Sequence, residues 1–213
     1  MTTPVLLVLG AGPKIGLSVG QAFAAKGYKV AEFRRRHRPG WVLALEDQPC
    51  KHRSSGDPES IYQVLMASDG VALDPEDPLS SVSISETTRI FATNTISPLI
   101  AAQEAVKGFK QLPTSASRTF IATGNLLNTA ARPPVLTFGM SKSALAHLIW
   151  GSSIAYEKRG FKFYYADERQ EDGGATIPVS GPAAGRAYTE LAEKEGQGKW
   201  LWTFVDGKGY VES

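Results

Sequence analysis

An open, mainly parallel α/β sheet covered by helices on both faces is the fold class this sequence predicts. Three observations carry it. Residues 5–9 form a continuous apolar run, as in a strand buried on both faces. A glycine-rich turn follows and opens a helical pattern. Strand-like and helix-like segments then alternate to the end of the chain.

The elements follow in order. After the strand at 5–9 and its turn, a helix runs over 15–26 and Gly27 closes it. Residues 28–33 read as a second strand, which completes a βαβ unit. Segment 34–82 is harder to place. Strands are expected at 41–45 and 50–53. Asp57-Pro58-Glu59 is a helix start, with Ile61, Val64 and Leu65 as its apolar face as far as about Ala67. Residues 71–73 make at most a very short strand, so the stretch around 40–80 is expected to be shortened. Ser83 and Glu86 have capping-box spacing and start a helix over 85–107. A strand at 118–123, a helix at 139–159 ending at Gly160, and strands at 161–166 and 200–205 complete the series.

A chain of 213 residues suits one domain, expected to span 1–213. The formal net charge of +2 gives no reason to expect nucleic acid as a partner. With Cys50 as its one cysteine, the sequence admits no internal disulfide. Its N-terminus lacks a basic leader, and no apolar run approaches the length that spans a bilayer. A cytoplasmic protein acting on a small molecule, with no membrane partner, is expected.

Residues 10–20 read GAGPKIGLSVG. A turn of this kind after a first strand lets backbone N–H groups at a helix N-terminus face a pyrophosphate. Gly10, Gly12 and Gly16 supply the conformations and close approach, one residue more widely spaced than the usual dinucleotide fingerprint. This makes the fold a Rossmann-type, doubly wound sheet. A ligand-free strand-to-helix turn is the alternative. Arg34, Arg35 and Arg36 follow the second strand, where arginine accommodates a 2′-phosphate. With Lys14 in the turn, they point to NADP(H) as cofactor. The alternative is a solvated basic run continuing through His37 and Arg38.

Phe138 and Lys142 lie four residues apart, on one helical face with Leu145 and Ile149. Lys142 is therefore on a packed side, where its ammonium needs an acceptor; the alternative is a lysine snorkelling to the surface. Asn94 has Pro98 four residues later. Proline cannot donate to the Asn94 carbonyl, so a kink is expected there. His147 is expected in packing or at an interface, and His37 and His52 lack metal-like spacing. Tyr164 or Tyr165 is expected to face the cleft. Asp167 and Glu168 end the same strand as a relay or as surface carboxylates.

These motifs resemble the short-chain dehydrogenase/reductase family over most of the chain, best at 4–36 and 84–166. LGAGPKIG is similar to the family's glycine turn, which assigns Gly10, Gly12, Lys14, Ile15 and Gly16 to the cofactor. NTISPLIAAQEAV resembles the helix bearing the family's Asn, here Asn94. FIATGN and TFGMSKSALAH resemble the active-site strand and the Tyr-x-x-x-Lys helix. The set TGN, GMSKSA and FYYADER resembles a group of fungal proteins of this type. By that resemblance Lys142 holds the nicotinamide ribose, the Asn94 carbonyl holds a water linked to it, and Asn125, with Thr123 in reach, falls near the serine position.

The departures matter equally. Phe138 stands at the tyrosine position and has no proton to give. The motif after the fourth strand has Met66 to Gly70 as its nearest counterpart, and the substrate lid is reduced to a glycine-rich stretch at 172–185. In the family the helices at 85–107 and 140–159 pair between subunits, which implies a homodimer or homotetramer with His147 or Trp150 nearby. Three functions remain open. One is an NADP(H)-dependent enzyme for a small carbonyl or alcohol, with impaired hydride transfer. The others are a non-redox catalyst of cyclisation or isomerisation, and a non-catalytic dinucleotide-binding protein.

Overall fold

Eight strands form one sheet in the computed structural model, which describes residues 3–35, 41–44, 61–65 and 70–212. At 34, 35, 41–44 and 61–65 the description is of the backbone alone. The strand order is β3-β2-β1-β4-β5-β6-β7-β8. Strands β1 (Val5–Leu9), β2 (Lys29–Arg35), β4 (Ile61–Leu65), β5 (Thr119–Thr123), β6 (Lys162–Glu168) and β7 (Leu201–Val205) run parallel. The edges, β3 (Trp41–Ala44) and β8 (Gly209–Tyr210), are antiparallel. Chain order reverses at β1 and β4, so their C-terminal ends open the crevice where such sheets bind ligands.

The faces of the sheet are covered by different helices. On one face α1 (Ile15–Ala25) and α5 (Gly181–Glu193) enclose Leu6, Val8, Phe23, Tyr164, Tyr188 and Trp202. On the other, α3 (Ser97–Phe109) and α4 (Leu136–Tyr156) enclose Phe109, Phe120, Leu145, Ile149, Phe163 and Tyr165. Neighbours in β6 thus serve opposite cores, as the two-residue strand period requires. The Ser83 hydroxyl accepts from Glu86 N at 3.4 Å and opens α2 (Ile84–Phe91). The Glu86 carboxylate turns instead to Arg89, at 2.8 Å, so half of the capping box forms. A π-helical turn, Ala92–Ile96, joins α2 to α3 just before Pro98, where the missing proline donor disturbs the helix ladder.

Two expectations are corrected. Ile61, Val64 and Leu65 belong to strand β4 and not to a helix, because pairing with β1 and β5 at the sheet centre overrides an ambiguous apolar spacing. The crossover strand is therefore present upstream of 71–73, which is irregular and held by Leu73 N donating to Pro134 O at 2.8 Å. The expected strand at 50–53, the Asp57 helix start, Arg36, His37, His52, Cys50 and residues 66–69 lie outside the described residues.

Helix α5 was not expected, since its glycines read as loop. Gly181 and Gly185 instead allow close approach to α1. A Cβ at Gly181 would overlap the Ser18 hydroxyl, and one at Gly185 would sit 3.1 Å from Ala22 Cβ. Ser180 caps the helix through Ala183 N. Its far end is closed by the buried Lys162 ammonium, which donates to the Leu191, Ala192 and Lys194 carbonyls.

Candidate active site

The glycine turn lies at the C-terminal end of β1. Gly10 has φ 76°, a region open to glycine at little cost, and Gly10 N and Ala11 N both donate to Phe33 O. A Cβ at Gly16 would come within 2.8 Å of Ala11 Cα, so α1 rests directly on the turn. At Gly12 a Cβ would meet nothing within 4 Å. No side chain caps α1 at Lys14, and its first turn carries no acid. With Gly10 N and Ala11 N spent on Phe33 O, the donors left to a ligand are the N–H groups at the start of α1, which no side chain caps among the described residues, and a pyrophosphate fits that donor set. Arg34 and Arg35 end β2 at the same edge, paired through the backbone with Val42 and Trp41 of β3; their side chains lie outside the described residues.

A cavity of about 600 Å³ opens beside this turn, with Ile15, Thr123, Asn125, Phe138, Glu168 and Tyr188 in its wall. Its polar floor comes from the ends of β5 and β6. Lys142 is 2% exposed, and its ammonium donates to the Thr123 carbonyl at 3.2 Å. The same ammonium lies 5.4 Å from the centre of the Phe138 ring, a cation–π contact that partly offsets desolvation. The packed position expected for this lysine is thus observed, and the snorkelling alternative is not. Burial pulls its pKa down to about 8, against the opposing pull of Asp167.

Asp167 is a buried carboxylate and not a surface one. Its Oδ2 accepts from Arg169 Nε at 2.5 Å, while Oδ1 is buried with no hydrogen-bond partner among the described residues. Burial lifts its pKa to about 6, with Arg169 and then Lys142 opposing. Glu168 accepts Ser180 N through both oxygens and so helps to start α5. Desolvation raises its pKa.

Asn94 is fully buried in the π-helical turn, and its Nδ2 donates to Ile90 O at 3.1 Å. Thr95 ties that turn to α4 through Ser141 O at 3.1 Å, which brings the Asn94 and Lys142 segments together. Asn125 lines the cavity, but its Oδ1 is occupied by Leu127 N at 3.1 Å. Gly70 lies against the Phe138 ring, where a Cβ would be 3.1 Å away.

Neither strand tyrosine offers its hydroxyl to the cleft, contrary to expectation. Tyr164 bonds Gly196 O and Gly198 N, on the α5 side of the sheet. Tyr165 bonds Asn125 O and Asn125 N. The phenol in the cavity wall is Tyr188 of α5, 2.8 Å from Thr123 Oγ1, its pKa raised by burial. Sequence reasoning missed it because the helix that carries it was missed. His147 packs edge-on against Trp150, which is half exposed.

No protein-family model matches the chain. The short chain dehydrogenase/reductase dmxR12 of Cryptosporiopsis sp. (strain 8999) is 35% identical over 237 residues, covering 99% of this chain and 95% of that one. Among solved structures, ElxO with NADP bound matches with TM-score 0.72 at 11% identity, covering 97% of this chain and 98% of its own. A 3-oxoacyl-[acyl-carrier protein] reductase from Brucella melitensis matches with TM-score 0.67 at 16% identity over 90% of each. The structural matches establish a shared fold. With the dmxR12 relationship, they identify the chain as a member of the short-chain dehydrogenase/reductase family, a family of oxidoreductases. Among the described residues no helix is long and apolar enough to cross a membrane, and no cluster is suited to a metal ion.

Proposed function

We propose that residues 1–213 form a single NADP(H)-binding domain that acts on a small-molecule carbonyl or alcohol, in the cytoplasm, with hydride transfer weakened by Phe138. The observation that carries this reading is the buried Lys142 ammonium, held just behind the cavity wall on the Thr123 carbonyl and over the Phe138 ring, both of which line the cavity. A reduced nicotinamide supplies hydride when bound. Gly10, Gly12, Lys14, Ile15 and Gly16 would hold the pyrophosphate side of the cofactor, Arg34 and Arg35 the 2′-phosphate, and Lys142 the ribose. Asn94 and Asn125 complete the assigned site. Phe138 has no proton for a substrate oxygen, which leaves Tyr188, Thr123 and Thr176 as the hydroxyls on the cavity wall among the described residues. Support for the cofactor comes from the uncapped α1 terminus and from the NADP held by ElxO. Turnover of a carbonyl panel with NADPH tests the reading. NADPH binding without any reduction would favour the non-redox alternative.

NADPH is expected to bind more tightly than NADH, by about 1.5–3 kcal/mol for a charge-assisted contact to the 2′-phosphate. Fluorescence titration of both cofactors checks this. Equal affinities, or no loss in Arg34→Ala/Arg35→Ala, would rule it out.

A homodimer or homotetramer is the expected assembly. Ile100, Trp150 and Ile154 expose 54%, 47% and 65% of their surface on α3 and α4, the helices that pair in the family. Light scattering at micromolar concentration should report a multiple of 22.9 kDa, and Ile154→Glu should shift the protein to monomer. A monomeric wild-type protein defeats this assignment.

A further inference from the structure

Apart from its floor, the cavity wall is mostly apolar, built from Leu126, Leu127, Val135, Phe138, Ile177 and Val179, with Thr176 among them. Among the described residues in that wall, the charged side chains are Arg132 and Glu168. They are not a pair. Glu168 is engaged by Ser180 N, and the neighbouring acid, Asp167, is engaged by Arg169. Among the described residues the Arg132 guanidinium has no hydrogen-bond, ion-pair or ring partner. It is exposed, so water solvates it in the free protein.

Its backbone, in contrast, is fixed. Arg132 is extended, at φ −133° and ψ 104°, and leads into a turn that opens Pro133-Pro134. Its carbonyl accepts from Val135 N at 3.0 Å, and Pro134 O accepts from Leu73 N at 2.8 Å. Two prolines and two backbone bonds therefore hold the base of a long cationic side chain at the mouth of an apolar cavity. A guanidinium in that setting matches a carboxylate fork to fork, and adjacent apolar walls strengthen such a pair by excluding water.

We propose that Arg132 reads an anionic group, and that the ligand of this cavity is an apolar, ring-sized molecule carrying a carboxylate. The apolar body lies against the Leu127, Val135 and Ile177 wall, and the carboxylate meets Arg132 at the mouth. This deepens the carbonyl or alcohol reading by naming the substrate class of the same site, and it rests on that reading for the chemistry alone.

The probes are 2-naphthoate and its neutral amide, 2-naphthamide, titrated into the full chain by calorimetry with and without NADPH. The wild-type protein is expected to prefer the acid by about ten-fold or more, the scale of one charge-assisted contact. R132Q should abolish the preference by weakening the acid alone, and R132K should keep part of it, since lysine retains the charge but not the fork. Equal affinities in wild type, an unchanged ratio in R132Q, or no binding of either probe at millimolar concentration each overturn the proposal. Titrating wild type with NADPH separates the two levels of the argument. A lost ratio with cofactor still bound defeats the carboxylate assignment alone. A retained ratio with no cofactor binding defeats the oxidoreductase reading and leaves the carboxylate site standing.

Discussion

Phe138→Tyr is expected to raise reduction of an activated ketone by about 10²- to 10⁴-fold, the usual range for a positioned general acid, while NADPH affinity stays nearly unchanged. The ring already lies in the cavity wall, with Lys142 Nζ 5.4 Å from its centre. A hydroxyl added to it supplies the proton donor that the wild-type side chain lacks. The nearby ammonium favours phenolate and pulls the new pKa below the reference of about 10. Loss of NADPH absorbance reports the rate. If wild type already turns over well, another acid is present. Tyr188 then becomes the first suspect, since the Tyr164 and Tyr165 hydroxyls are tied to backbone groups. Tyr188→Phe separates the cases: it should abolish turnover in wild type and spare it in Phe138→Tyr. Should Phe138→Tyr bind NADPH and still reduce nothing, the missing hydroxyl is not what limits this site.

Much of the site was legible because its signals are local. Gly10 to Gly16 announce a strand-to-helix turn by composition and position. Phe138 and Lys142 share a face by helical arithmetic, and Pro98 announces the disturbed ladder at Asn94. What stayed hidden depends on tertiary partners. Residues 61–65 carry a spacing that suits helix or strand, and only the neighbours β1 and β5 decide between them. In α5, Gly181 and Gly185 look like loop glycines until α1 is set against them. With α5 unrecognised, Tyr188 had no address and the Glu168–Ser180 contact had no meaning. Asp167 likewise looked like a surface acid because nothing in FYYADER reveals that Arg169 folds back onto it.

Lys142→Met should separate what this lysine does for the fold from what it does for a ligand. An ammonium whose pKa falls from 10.5 to about 8 on folding costs stability wherever it stays charged. The cost is complete below pH 8 and is relieved between about 8 and 10.5, where the unfolded chain binds a proton that the native one has released. Asp167 behaves inversely. Its pKa rises from 3.8 to about 6, so its cost is complete above pH 6 and is relieved as pH falls toward 3.8. Between pH 6 and 8 the native protein therefore carries both buried charges at full cost, about 3 kcal/mol each by the usual conversion of pKa shifts. Replacing Lys142 with methionine removes one of them, but it leaves the Thr123 carbonyl without this donor, at roughly 1–3 kcal/mol. Stability at pH 7 should then change little or rise. The sharper signature is the pH profile: the gain in melting temperature from pH 8 to 10.5 should disappear in the variant, while the acid-side gain below pH 6 persists. NADPH affinity should fall at the same time by roughly 1.5–3 kcal/mol, the loss of a charged donor from the ribose. A lysine kept only for the fold predicts the opposite pair of results, a clear loss of stability at pH 7 with cofactor binding intact.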